Sequence, residues 1–223
     1  TAIDDITATY NAAALWASLL AKQDLMQATT LQQRLGSLSR MAAALGSLPN
    51  ANAMYMGYES GDFFMVRRWR DDPKLQALFD APPGTRWMVQ SIQVKDGQIF
   101  GEHLFFNADF AMLDRRVKPD YQYDPRTRDW YINALKTHGL TVQPPYIFSS
   151  IGEVGTTFAV ETENGLGVSG IDITLRSLNE ILRQNKVTPG TSLALVNLQG
   201  MVLSSHLGAV EMVPTADGKG RLP

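Results

Sequence analysis

The 223-residue chain contains no cysteine. Disulfides, thiolate nucleophiles and thiolate metal sites are therefore excluded, and the absence suits a bacterial extracytoplasmic protein. The three histidines, His103, His138 and His206, are scattered without metal-ligand spacing, so each reads as a surface or satisfied side chain and no metal is expected. No apolar run approaches the roughly 20 residues of a membrane-spanning helix, and no signal peptide is readable. Charged residues make up only 19% and the net charge is −2, which gives no reason to expect nucleic acid or an anionic membrane surface as partner. No Ser-His-Asp set, phosphate-cradling glycine loop or other catalytic motif is readable, so neither catalysis nor a cofactor is expected. Repeats and low-complexity tracts are also missing.

What is present is globular. Hydrophobic residues are 44% of the chain, enough for a sizeable core in one large domain or two small ones. Residues 1–48 read as one long helix, with Ile3, Ile6, Tyr10, Ala13, Ala17 and Leu20 at three-four spacing. Asp24 and Gln27 interrupt the seam, which resumes at Leu31, Leu35, Leu38, Ala42 and Leu45 before Gly46 and Pro49 end it. Such a helix packs on its own domain or also pairs with a second copy. The start of the chain inside a helical pattern favours a segment excised from a longer protein.

From Ala53 the texture changes to strands joined by tight turns. Glu59-Ser60-Gly61, Asp96-Gly97 and Asn164-Gly165 are hairpin signals between apolar runs. Arg67-Arg68 and Asp71-Asp72 read as solvated turn charges. Residues 109–122 read as a short helix around Phe110–Arg115 followed by a loop. Arg128–Lys136 and Thr174–Asn185 read as helices, the latter with Leu175, Leu178, Ile181 and Leu182 on one face. Two further strands, Ser192–Asn197 and Met201–Ser205, are too few for a stable domain. The expected class is α+β: a long N-terminal helix (1–49), an antiparallel lobe of five or six strands (50–175), a connecting helix and linker (176–189) and the start of a second, smaller lobe (190–223).

One stretch is chemically unlike the rest. Tyr123-Asp124-Pro125-Arg126-Thr127-Arg128-Asp129-Trp130-Tyr131 concentrates two guanidinium groups, two carboxylates and three aromatic rings around a proline. Arg128 offers a planar fork suited to a carboxylate, and the rings wall a pocket while keeping a polar edge. Trp130 and Tyr131 are adjacent on a helix and cannot share a face, so one of them belongs to the core. Arg126 reads as structural, bonding its own loop.

The run from Asp124 to Tyr131 is similar to the D-x-R-x-R-x-W-Y signature of double Cache sensor domains, and Gly167-Val168-Ser169-Gly170-Ile171-Asp172-Ile173 resembles that family's closing strand. The resemblance covers nearly the whole chain. It implies a PAS-like, membrane-distal ligand-binding lobe at 50–175, an incomplete proximal lobe from about 190, and flanking transmembrane helices in the intact protein. It further implies a periplasmic or extracellular sensor feeding an output domain such as a cyclase, kinase, phosphodiesterase or chemoreceptor module. In the amino-acid-binding subgroup that the chain resembles, the matching ligand residues are Tyr123, Arg128, Trp130, Tyr131, Tyr146 and Asp172. Asp129 departs from the pattern, standing where many members carry proline.

An α-amino acid presents a carboxylate and an ammonium. Arg128, with the Trp130 indole N–H, suits the first, and Asp172 with the tyrosine rings and hydroxyls suits the second. Met88, Gln90 and Phe105 are candidates for the side-chain end of the pocket. The alternatives are a site for amines, purines or organic acids, a direct structural ion pair between Arg128 and Asp172, and a dimerisation module without a ligand.

Overall fold

Tight turns at the expected places set the sheet. In a computed structural model that describes residues 1–148, 150–185, 188, 194–196 and 202–205, the chain begins with α1 (Ala2–Leu20), α2 (Leu31–Leu35) and α3 (Leu38–Ser47). A meander follows, comprising β1 (Ala51–Tyr58), β2 (Phe63–Arg68), α4 (Pro73–Phe79), β3 (Trp87–Lys95), β4 (Gln98–Phe106) and β5 (Met112–Val117). The chain then crosses the sheet through α5 (Asp129–Thr137), β6 (Thr141–Val142) and β7 (Tyr146–Ile147). It returns in β8 (Val154–Glu161), β9 (Gly167–Thr174) and α6 (Leu175–Gln184).

The nine strands form one antiparallel sheet in the order β5-β4-β3-β2-β1-β9-β8-β6, with β7 also paired to β8. The α+β, PAS-like class is thus the one read from sequence. Asp96 and Gly97 both take positive φ (50° and 77°), the conformation that a two-residue hairpin turn demands.

Because β9 pairs with β1, these two strands lie mid-sheet and every residue of both is buried. Alternation then sorts side chains by face. Met54, Met56 and Tyr58 join the core with Ala13, Ala17, Leu45 and Leu178, under the helices α1, α3 and α6. Ala53 and Tyr55 join Phe63, Met65, Trp130 and Tyr131 on the opposite face, beneath α5. A third cluster, with Trp69, Phe79, Met88, Phe105 and Phe148, lies under α4.

Three expectations are corrected. Residues 1–48 are not one helix. The first helix stops at Leu20, a short 3-10 turn spans Asp24–Gln27, and Ala28 is extended. A capping box between Thr30 and Gln33 then starts a new helix. The apolar period ran on across the break because the segments on either side pack on the same sheet face. Residues around Phe110–Arg115 form no helix; Met112–Val117 is an edge strand whose Arg115 and Arg116 are held by Glu102 and Asp114. The sheet has nine strands rather than five or six, because most of β5 reads as a short helix and the two-residue β6 and β7 carry too little pattern. At the C-terminal end, β10 (Ala194–Val196) and β11 (Val202–Ser205) form a separate two-stranded sheet. The remainder of the expected second lobe lies outside the described residues.

The break at residues 21–30 places Arg34 against the β1–β2 turn. Its side chain is buried; Nη2 donates to Asp62 Oδ2 at 2.6 Å and Nε to the Ala28 carbonyl at 3.1 Å. Asp62 Oδ1 accepts from the Val94 amide at 2.7 Å, so one ion pair ties the helical segment to β3. Removing one partner strands a buried charge, so Arg34→Met is expected to cost about 3–5 kcal/mol in urea unfolding. The double variant Arg34→Met/Asp62→Asn should lose clearly less. Equal losses in the two would show that burial of the pair is unimportant.

Candidate functional site

The aromatic and guanidinium-rich stretch is laid across the face opposite α1. Asp124 caps a 3-10 turn at Pro125–Thr127, accepting from the Arg126 amide at 2.9 Å. The Arg126 side chain grips Asp124 at 2.8 and 2.9 Å and donates to the Glu59 carbonyl at 3.2 Å, which fastens this loop to the β1–β2 turn. Gly57 makes the approach possible: a Cβ there would stand 2.8 Å from both Pro125 and Trp130. Arg128 caps α5 with its backbone alone (φ −91°, ψ 140°), leaving the guanidinium to line a cavity, 5.6 Å above the Tyr123 ring.

The opposite wall is built by strand register. Asp172 on β9 faces Thr157 on β8, whose hydroxyl donates to Oδ1 at 2.7 Å. Tyr55 on β1 donates to the same oxygen at 2.7 Å, and the Tyr146 hydroxyl lies 2.7 Å from Thr157 Oγ1. Tyr55 reaches across because its cross-strand partner is Gly170, where a Cβ would lie 2.2 Å from the Tyr55 ring. Burial pushes the Asp172 carboxyl up from 3.8 to about 6, against the opposing hydrogen bonds from Thr157 and Tyr55 and the field of Arg67. Burial likewise raises the Tyr55 and Tyr146 phenols well above their usual range, and Tyr123 to about 12, so all three remain protonated donors.

The cavity between these walls is lined by Tyr55, Phe63, Met65, Tyr121 and Tyr123, then Arg128, Trp130, Tyr146, Phe148, Ser150 and Asp172. Its free space is about 20 Å³, room for about one water molecule, so a larger guest requires the walls to part. Arg128 and Asp172 share the cavity without forming an ion pair.

Of the residues singled out from sequence, Tyr123, Arg128, Trp130, Tyr146 and Asp172 come together here. Tyr131 is not among the lining residues. One position further along a helix turns its side chain about 100° away, and its ring packs against Gly57 instead. The Trp130 indole N–H donates at 3.4 Å to the Tyr123 hydroxyl. Asp129 is exposed in the first turn of α5, outside the lining, where a carboxylate suits the positive end of a helix. Met88 and Phe105 lie in the cluster under α4 rather than in the cavity, while Gln90 accepts from Arg67.

Sequence reasoning missed Tyr55, Phe63, Met65, Tyr121, Phe148 and Ser150. Alternation sets Tyr55 on β1, and Phe63 and Met65 on β2, on the face opposite Met54 and Met56, but nothing in the bare sequence marks that face as the one with the cavity.

No protein-family profile matches the chain. It is 27% identical over 176 residues to adenylate cyclase 1 of Rhizobium meliloti, a match covering 78% of this chain and 26% of that protein. It is 44% identical over 82 residues to the methyl-accepting chemotaxis protein McpB of Bacillus subtilis, covering 36% of this chain and 12% of that one. The chain thus spans about a quarter or less of these curated relatives. Among solved structures, the sensory domain of the Campylobacter jejuni chemoreceptor Tlp3 superposes with a TM-score of 0.55 at 18% identity, covering 92% of this chain and 66% of that domain. The same ligand-binding domain is known in complex with L-valine, with a TM-score of 0.53. The fold is that of chemoreceptor sensory domains, as the double Cache resemblance implies.

Asp172 and His103 pull stability in opposite directions over one pH window. Asp172 holds its proton more tightly folded than unfolded, so its contribution falls as pH rises from about 4 to about 6. At about 1.4 kcal/mol per pH unit this amounts to roughly 3 kcal/mol. Burial lowers His103 from 6.5 to about 4, so the unfolded chain binds the extra proton there and stability rises with pH between those values. Denaturant unfolding at pH 4.5 and 6.5 should therefore show a steeper rise with pH in Asp172→Asn than in the native chain. Identical pH profiles would mean that Asp172 titrates in the ordinary carboxylate range.

Proposed function

We propose that the chain is the extracytoplasmic ligand-sensing part of a bacterial transmembrane signalling protein, and that it binds a free amino acid between Arg128 and Asp172. The observation that carries this reading is a pair of opposite charges on two walls of one cavity, each held in place by neighbours and neither consumed by the other. In the proposed complex, the Arg128 fork receives the α-carboxylate, with the Tyr123 hydroxyl and Trp130 indole beside it. Asp172, the Tyr55 hydroxyl and the ring of Tyr146 receive the ammonium. Tyr131 supports the site from below rather than touching the ligand. Support also comes from the shared fold with chemoreceptor sensory domains, one of which binds L-valine.

The domain layout belongs to the same proposal. Residues 50–175 form the ligand-binding lobe, and the separate β10–β11 sheet begins a membrane-proximal one. Among the described residues no helix is long and apolar enough to cross a membrane, so anchoring and output are assigned to parts of the protein outside this chain. The first helix leaves Leu15 58% and Leu19 41% exposed, four residues apart on one stripe. That stripe is the proposed seam of a homodimer.

In a thermal-shift screen, at least one L-amino acid is expected to raise the melting temperature. Ligand at a hundredfold excess over Kd stabilises by about 2.7 kcal/mol. Arg128→Ala and Asp172→Asn should each weaken binding tenfold or more, on the order of 1.4 kcal/mol or above. Affinity should also decline as pH falls below about 6, because a protonated Asp172 no longer complements an ammonium. A ligand whose affinity survives both substitutions would displace the assignment. Independently, sedimentation equilibrium should show self-association of the native chain and its loss in Leu15→Glu/Leu19→Glu; a chain that is monomeric at the highest attainable concentration contradicts the seam.

A further inference from the structure

Arg67 on β2 is fully buried, and among the described residues no carboxylate contacts it. Its Nη2 donates to Ser150 Oγ at 2.7 Å and Gln90 Oε1 at 3.1 Å, and contacts Met65 Sδ at 3.3 Å; its Nε and Nη1 have no partner among those residues. A guanidinium is permanently charged, and its burial among three neutral acceptors outweighs the more distant fields of Asp172 and Glu153, which leaves it under-compensated. Two of those acceptors, Met65 and Ser150, line the ligand cavity.

Register places this cation relative to the rest of the site. Asp172 on β9 faces Ala53 on β1, and Ala53 faces Arg67 on β2. Two strand spacings separate the α-carbons of Asp172 and Arg67 by about 10 Å, on one face of the sheet and with only a methyl group between them. Arg128 and Asp172 line the cavity, and Arg67 stands directly behind the lining residues Met65 and Ser150, so two guanidinium groups and one carboxylate lie at or next to it. A neutral amino acid zwitterion matches Arg128 and Asp172 and leaves Arg67 with no carboxylate in contact. The full complement of the three is one ammonium and two carboxylates.

We infer that the side-chain end of this site is a carboxylate subsite formed by Arg67, with Gln90 and Ser150 beside it, and that the ligand class is the acidic amino acids. The inference rests on the amino-acid reading given above and names its substrate class. On entry, the distal carboxylate takes over from Ser150 and Met65 as acceptor for the guanidinium, a charge-assisted and bidentate arrangement in place of single neutral bonds. The competing role for Arg67 is a brace, holding the turn that contains Ser150 against β2 and β3. A brace confers no preference for ligand charge.

Calorimetric titration of the 223-residue chain with L-glutamate, L-aspartate, L-glutamine and L-norvaline separates the two. One acidic amino acid is expected to bind at least about tenfold more tightly than the neutral pair, as a site built around a polar group discriminates against ligands that leave it unpaired. Arg67→Met should collapse that ratio to near unity. Should this variant fail to fold, Ser150→Asp supplies Arg67 with an internal carboxylate and should collapse the ratio equally. Neutral amino acids binding as tightly as acidic ones in the native chain would overturn the subsite while leaving the Arg128–Asp172 site standing. A preference for acidic ligands that persists in Arg67→Met, or in Ser150→Asp, would also overturn it. Binding of none of the four overturns the subsite, and the thermal-shift screen across all L-amino acids decides separately whether the Arg128–Asp172 site stands.

Discussion

A carboxylate buried in the middle of a sheet must find donors, and Asp172 finds them through strand register. Thr157 stands directly across from it on β8, and Tyr55 leans over from β1 through the space that Gly170 leaves. A slip of one residue in either pairing would send one of these side chains to the helical face and leave the acid unsolvated. The order β2-β1-β9-β8 thus fixes the anionic wall of the cavity. The cationic wall depends on a different device, the Asp124–Arg126 clamp that fastens the loop before α5 to the β1–β2 turn. The cavity exists because the two devices hold opposite charges apart.

β9 also links the site to the first helix. Asp172 points into the cavity, whereas Ser169, three residues earlier, faces the other way and donates to the Ala17 carbonyl of α1 at 2.8 Å. The Tyr58 hydroxyl on β1 similarly donates to the Leu25 carbonyl at 2.8 Å, just past the end of that helix. A ligand drawn toward Asp172 must part walls that enclose little free space, and it acts on strands bonded to the helical layer behind them. Under the proposed function, this is the physical connection between occupancy and the helix that carries the seam. Two alternative packings of this layer, differently favoured by ligand, are what signalling through it requires.

Much of this is legible in the sequence, and what is not has identifiable causes. The cationic half of the site is contiguous, so Tyr123, Arg128 and Trp130 stand out as a chemical oddity in the bare amino-acid string. Tyr55 is an ordinary strand residue, and its role depends on a glycine 115 positions away. Arg67 reads as a solvated turn charge beside Arg68, yet it lies inside the domain, because β2 is an inner strand with Ala53 on one side of Arg67 and Met88 on the other. The helical break after Leu20 is hidden by an apolar period that survives it. β5 is hidden by its charges, which an edge strand tolerates and which suppress edge-to-edge pairing.

The central claim is that one cavity reads both ends of an amino acid. Calorimetric titration with the best-binding amino acid, its N-acetyl derivative and its α-carboxamide tests this directly, because each derivative deletes one ligand charge and leaves the protein untouched. Both derivatives should bind at least about tenfold more weakly than the parent, each having lost a charge-assisted contact. Undiminished binding of the N-acetyl form would contradict the role given to Asp172, and undiminished binding of the carboxamide would contradict that given to Arg128.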